Sequence, residues 1–382
     1  MEMTSFERIE AATRLEKPDR VPFVPIIDMF ACRYGGITQH EMFFDVDKAD
    51  LALQKTMDDL GRIDGFSLSY GGMGSLLDLI IPNPPILPGV RGTGDDVGWM
   101  FVEAPVMEPS EYRDIGKRGT IRWTLDKTME THPKLNSKVD VLKEMSRVLV
   151  DMLKITRSVK SWRKKNVEPL VAANLVFTPM EWMSIMLRGF NDFTLDLFRY
   201  PDDIRAASAA LKKPLWMIGM AGVKMTGVKR VYMGGARTSA SAISKKQFEE
   251  LALPEWQETS EYFVERGITP MLHFDSDWTA FFPLLKNLPR RKCILNLDGA
   301  SDIYKAKEIL GDHMCIMGDV PASLLKLGEP DEVDAYCERL IKDLGSGGGF
   351  ILSSGCTIPL DAKPENVKAM IQSVERHGRY PV

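Results

Sequence analysis

The chain has 382 residues, 44% of them hydrophobic and 27% charged, a balance that lets a globular core form without a disulfide or metal staple. Its 49 basic and 53 acidic residues leave a net charge of −4, which gives no electrostatic footprint for nucleic acid. The five cysteines (Cys32, Cys293, Cys315, Cys337 and Cys356) are odd in number and form no CxxC, which argues against a disulfide framework and for a reducing, cytoplasmic compartment.

The opening stretch, MEMTSFERIEAATRLEKPDR, is charged, lacks an apolar targeting core and predicts a helix over 4–15. Short apolar runs rich in β-branched residues then recur down the chain. The first, VPFVPII (21–27), ends at Asp28 and is followed by helical periodicity over 37–61. The second, DGFSLSY (64–70), ends in Ser69 and Tyr70. Residues from about 72 to 135 break the alternation: they are rich in Pro and Gly, and predict an insertion with a hairpin and a short helix at EPSEY. A helical pattern over 137–162 leads to PLVAANLVF (169–177), which carries Asn174 and Phe177, with Glu181 beyond. The basic stretch KSWRKK (160–165) continues that helical pattern and reads as a solvated helix face.

Helical periodicity over 191–224 precedes VKRVYMGG (228–235), which ends in Met233 with Arg237 just after. Helical residues 244–267 precede ITPMLHFD (268–275). The last three runs, KCILNLDG (292–299), HMCIMGDV (313–320) and GGFILSSG (348–355), are spaced by shorter helical segments, and a final helix covers 363–378. Eight strands alternating with helices predict an α/β fold of the (β/α)8 TIM barrel type, as one domain over 1–382 with its insertion after strand 2. The first strand–helix turn has no GxGxxG, so a dinucleotide fold is disfavoured. No run of about 18 apolar residues exists, so no membrane span is expected.

In such a barrel the carboxyl tips of the strands face one shared space. His273 and Cys356 then approach from strands five and eight, and Asp275, two residues on from His273, points to the same side. An imidazole, a carboxylate and a thiolate with a fourth position free match a catalytic rather than a structural zinc. The plain readings stand beside it: a hydrogen-bonded histidine, a buried cysteine acting as a small hydrophobe, and an Asp-rich loop in which Ser276 or Asp277 caps the next helix. Asp28, Tyr70, Asn174, Phe177, Met233 and Trp278 are candidates to line a substrate pocket, and Arg237 either to bind an anionic group or to pair with an acid. The 22 methionines read first as core filler and second as lining for a flat apolar ligand.

Two end motifs carry a family resemblance. GCTIPLDAKPENVKAMIQSVERHGRY (355–380) and SFERIEAATRLEKPDRVPFVP (5–25) resemble the closing and opening motifs of the uroporphyrinogen decarboxylase superfamily. That superfamily contains a decarboxylase of uroporphyrinogen side chains and methyltransferases that exchange methyl groups with a corrinoid protein, using zinc. The chain departs from the decarboxylase pattern: MFACRYGG keeps Arg33 but has Met29 where an arginine is expected, FSLSYGG lacks the aspartate, and Cys356 replaces a histidine. The thiol-methylating branch carries His-x-Cys after strand five and a cysteine after strand eight; here His273 and Cys356 match and Asp275 stands at the middle position. The insertion is similar to that of members that demethylate methyl ethers. The resemblance therefore implies a corrinoid-dependent methyltransferase of the O-demethylase kind. It would use His273, Asp275 and Cys356 as catalytic metal ligands, with zinc, a small-molecule methyl donor and a corrinoid (cobalamin) protein as partner. A homo-oligomer is compatible with it. Alternatives are a thiol-methylating enzyme, a decarboxylase-like lyase, and a non-catalytic barrel that binds a tetrapyrrole or corrinoid.

Overall fold

The computed structural model describes residues 2–69 and 71–380. Its strands are β1 (Gly65–Ser69), β2 (Glu168–Ala172), β3 (Leu175–Val176), β4 (Arg230–Gly235), β5 (Thr269–Phe274), β6 (Ile294–Leu297), β7 (Cys315–Val320) and β8 (Phe350–Ser354). Each pairs in parallel with its neighbour, β1 with β2 and then β3 through β8 in sequence order. Parallel neighbours need long crossovers, and the helices between strands supply them.

The first predicted strand closes the ring without being a regular strand. Val24 N–H donates to Leu352 O on β8 and Leu352 N–H to Pro22 O, both at 2.9 Å. On the other side Asp64 N–H donates to Phe23 O at 3.0 Å and Ser67 N–H to Pro25 O at 2.9 Å. Pro22 and Pro25 have no N–H to give, so at those positions this stave can only complete the barrel by accepting. β2 and β3 together make the third stave, broken where Ala173 takes a left-handed φ of 56°. Side-chain bonds stitch the break: Asn174 Nδ2 donates to Val228 O at 3.0 Å and to Arg230 O at 2.9 Å, while Thr226 Oγ1 donates to Asn174 Oδ1 at 3.2 Å. The whole is a (β/α)8 barrel.

The amino-terminal end of the barrel is closed by charge. Arg8 pairs with Asp19 at 2.6 Å, Arg20 with Asp64 at 2.7 Å and Arg230 with Glu168 at 3.0 Å. Asp64 and Glu168 are almost fully buried, where a carboxylate persists only when fully partnered.

Residues 72–137 follow β1 and carry helices Gly74–Ile80, Tyr112–Lys117 and Thr120–Thr131. The expected hairpin shrinks to one antiparallel bridge between Ile86 and Met100. Pro82, Pro84, Pro85 and Pro88 deprive that strand of donors. Among the described residues no helix is long and apolar enough to cross a membrane.

Candidate active site

β5 delivers His273 by strand alternation. Met271 and His273 point into the barrel, whereas Leu272 and Phe274 point out toward the helices. The outer side is an aromatic wedge: Trp278 stacks on Phe274 at 3.8 Å between centroids, and Trp256 meets Phe274 edge-on at 5.1 Å. Just past the strand, Asp275 N–H donates to Gly235 O at 2.9 Å, so β4 still fixes its backbone. Asp277 Oδ1 accepts from Thr279 N–H at 2.8 Å, but the cap position of the segment Thr279–Asn287 falls on Trp278, not on Ser276 or Asp277, and carries no side-chain cap.

Cys356 reaches the same point from β8 through a turn that requires glycine. A Cβ on Gly355 would stand 2.4 Å from the Asp298 carbonyl oxygen, and Gly355 N–H donates to Val320 O at 2.9 Å. The close approach of two backbones here brings a residue 83 positions away in the chain against His273.

The three side chains converge. Cys356 Sγ lies 3.8 Å from His273 Nε2, His273 Nε2 lies 3.3 Å from Asp275 Oδ1, and all three ligand atoms fall within 4.8 Å of one another. Two donors bonded at about 2.0–2.3 Å to one ion at tetrahedral angles stand roughly 3.3–3.5 Å apart; His273 and Asp275 already stand at that spacing, and Cys356 would have to move closer to share a cation with them. Asn296, on β6, fixes which ring nitrogen is presented. Its Oδ1 sits 2.6 Å from His273 Nδ1, and its Nδ2 donates to Met317 O at 3.3 Å, so the amide oxygen faces the ring. Nδ1 then donates to Asn296, and Nε2 is the ring nitrogen turned to Asp275 and Cys356, holding a proton there in the absence of a metal and able to bind one once that proton leaves. Burial disfavours a charged imidazole here. The hydrogen bonds to Asp275 and Cys356, and the charges of both, outweigh it and hold His273 well above the ordinary histidine range. Positive charge is thus strongly favoured at this point, from a proton or from a metal ion.

Above the cluster lies a cavity of about 390 Å³, within the range of a small-molecule site. Phe177, Trp182 and Tyr232 border it, as do Ile81, Trp99 and Phe101 from the 72–137 segment. Tyr232 lies 5.5 Å from the His273 ring, centroid to centroid. Met100 and Met186 are the lining methionines, whereas Met233, Met271 and Met317 are core.

The sequence-based site is corrected at several positions. His273, Asp275, Cys356, Phe177 and Arg237 all border the cavity. Asn174 is the buried stitch described above. Met233 is fully buried on the outer side of β4, because its inward neighbours are Tyr232 and Gly234. Trp278 is fully buried behind β5. Asp28 is buried in the first turn of the helix Asp28–Gly35 and does not itself border the cavity, although Ile26 does. Tyr70 lies outside the described residues. Sequence reasoning missed Tyr232, which strict alternation along β4 identifies, and gave Asn296 no role although it stands at a strand tip. It gave Glu181 none either. Glu181 is fully buried, which raises its pKa, and it accepts from Arg237 N–H at 3.0 Å and Thr238 N–H at 2.9 Å, holding the loop after β4.

A (β/α)8 barrel with its polar cluster at the carboxyl ends of the strands and an apolar cavity above defines the class. The fold is shared by a methyltransferase from Methanosarcina mazei, with a TM-score of 0.69 over 98% of this chain and 99% of that one, at 16% identity. The model of the uroporphyrinogen decarboxylase family matches residues 123–377, and the chain belongs to that family. Similar relatives include the uroporphyrinogen decarboxylases of Chlorobium phaeovibrioides, 28% identical over 144 residues, and of Pseudoalteromonas atlantica, 29% identical over 84 residues. These matches cover 36% of this chain and 40% of the Chlorobium protein, and 22% and 23% respectively for the Pseudoalteromonas one. The chain thus spans less than half the length of the curated relatives it matches.

Proposed function

We propose that this protein is a methyltransferase that takes a methyl group from a methyl ether, a methoxylated aromatic compound, and passes it to a corrinoid carried by a separate protein. The observation that carries the reading is the convergence of an imidazole, a carboxylate and a thiol within 4.8 Å at the floor of an apolar cavity. His273 Nε2, Asp275 Oδ1 and Cys356 Sγ would hold a zinc ion, which when bound supplies Lewis acidity at an ether oxygen, stabilising the charge that develops as the methyl group leaves. Asp275 is a harder ligand than a cysteine, which suits an oxygen leaving group better than activation of a thiol.

The remaining work falls to the chain's own residues. Asn296 keeps the Nδ1 proton in place and so keeps Nε2 available. Phe177, Trp182 and Tyr232 hold a flat ring by contact with its faces and edges. Trp99 and Phe101 narrow the mouth and exclude water. In the transfer the methyl carbon leaves the ether oxygen, which retains the bonding electron pair, and the corrinoid partner must reach the cavity mouth to receive it. The lining favours this over a porphyrinogen with its many carboxylates: Arg237 is the only arginine or lysine among the described lining residues. A cysteine ligand also calls for a reducing compartment, and we place the protein in the cytoplasm.

The test is to mix the zinc-loaded protein with a reduced corrinoid protein and a panel of methoxylated aromatics, following the absorbance change from Co(I) to methyl-Co(III). Transfer from at least one methyl ether is expected; none from any of them, with about one zinc per chain in place, contradicts the reading. A second expectation concerns Asn296. Asn296→Ala should weaken zinc binding about 10- to 100-fold, the usual effect of removing a group that orients a ligand. Competition with a chromogenic chelator measures it, and an unchanged affinity would show that Asn296 does not orient the histidine for a metal.

A further inference from the structure

The helix Lys138–Lys164, which leads into β2, is apolar on two faces. One face is spent on the core, where Val141, Met152, Ile155, Val159 and Trp162 are buried. The other meets solvent: Val139, Leu142, Met145, Leu149, Val150 and Leu153 are between 51% and 72% exposed. A surface helix normally places charge on that side. Here Val139, Leu142, Ser146, Leu149 and Leu153 step alternately three and four residues apart, the spacing of a seam that packs against another helix. The charged residues sit to one side, where Arg147 pairs with Glu144 at 2.6 Å. Among the described residues no other element covers the stripe. It leaves on the order of 600 Å² of apolar surface bare, the upper end for the largest patch of a monomer.

We infer that this stripe is an interface between two copies of this chain, the two helices crossing antiparallel about a two-fold axis near Ser146. A two-fold interface must fit itself, and the stripe meets that condition. Ser146 lies midway between Val139 and Leu153. Reversing the helix therefore lays Val139 and Leu142 of one copy against Leu149, Val150 and Leu153 of the other, and the small serine lets the backbones approach at the crossing. Both copies together bury about 1,200 Å², the lower bound of a standard stable interface. The helix also packs against the helices Gly74–Ile80 and Pro201–Thr226, which give Leu77, Ile80, Leu215 and Ile218 to the cavity, so pairing braces that side of the wall. The inference stands apart from the methyl-ether reading.

Sedimentation velocity of the full chain, from low to high micromolar concentration, tests it. The native protein should reach twice its 43.0 kDa. The double variant Leu142→Glu, Leu149→Glu should stay at 43.0 kDa with an unchanged circular-dichroism spectrum, both side chains being on the surface. Ser146→Cys should join two copies through a disulfide under dissolved oxygen, whereas Glu144→Cys, on the far flank, should not. Added salt should tighten the dimer, because Lys143 and Lys154, which border the stripe, repel their counterparts and salt screens them. A monomer at every concentration, a dimer that survives the double variant, or a dimer in which Ser146→Cys forms no crosslink overturns the interface. So does a native monomer that binds phosphatidylglycerol vesicles and loses them in the double variant, which would place the stripe on a lipid surface.

Discussion

Replacing His273 with alanine is expected to abolish stable zinc binding and to slow methyl transfer by about 10³-fold or more, a Lewis acid at the leaving oxygen being worth several kcal/mol. The reasoning is geometric. His273 is the member of the cluster within reach of both others, at 3.3 Å from Asp275 and 3.8 Å from Cys356. It also has a buried partner, Asn296, on its far side. Without it an acid and a thiol are left with no rigid neighbour. The fold should survive, since the buried contact that is left unsatisfied is the Asn296 amide, at about 1–3 kcal/mol, while Asp275 and Cys356 are only partly buried. Elemental analysis and single-turnover transfer measure the two effects. A variant with full metal content and full transfer would remove the site from the mechanism.

Trp278→Ala should destabilise the protein by about 3–5 kcal/mol, the usual cost of deleting a buried large aromatic. The ring is fully buried, stacked on Phe274 and edge-on to Phe248 and Trp256 at 5.8 and 6.0 Å. Its Nε1 also donates to the Asp275 carbonyl at 2.9 Å, so the wedge steadies the backbone of a cluster residue. Urea unfolding reads the stability change. Affinity for methoxybenzene, a simple methoxylated aromatic, measured where the variant is still folded, should change little, because Trp278 does not border the cavity. A stable variant with lost ligand binding would instead return Trp278 to the pocket wall.

That outcome bears on what the sequence reveals. Eight apolar runs separated by helical segments make the barrel legible despite the long interval after the second, because a closed parallel barrel needs that alternation and little else. The positions of His273 and Cys356 at the carboxyl tips follow directly from it. Facing is harder. Met233 and Trp278 look like wall residues because they are large and near strand ends, yet a shift of one residue along a strand reverses the face, and Tyr232 is the residue that looks inward. Asn174 misleads for a different reason: the third stave breaks at Ala173, and no propensity signals that an amide will be spent mending it. The proline-laden first stave reads as an ordinary strand because its hydrogen bonds come largely from its neighbours, which a local pattern does not record. Asn296 is visible as a strand-tip residue, but its importance lies in a contact with His273, 23 positions earlier.

X-ray absorption at the zinc edge of the purified protein tests the central claim most directly. The account predicts a single sulfur scatterer at about 2.3 Å together with nitrogen or oxygen neighbours at about 2.0–2.2 Å, the sulfur vanishing in Cys356→Ser. Zinc bound without sulfur, or a protein that retains no zinc at all, would contradict it.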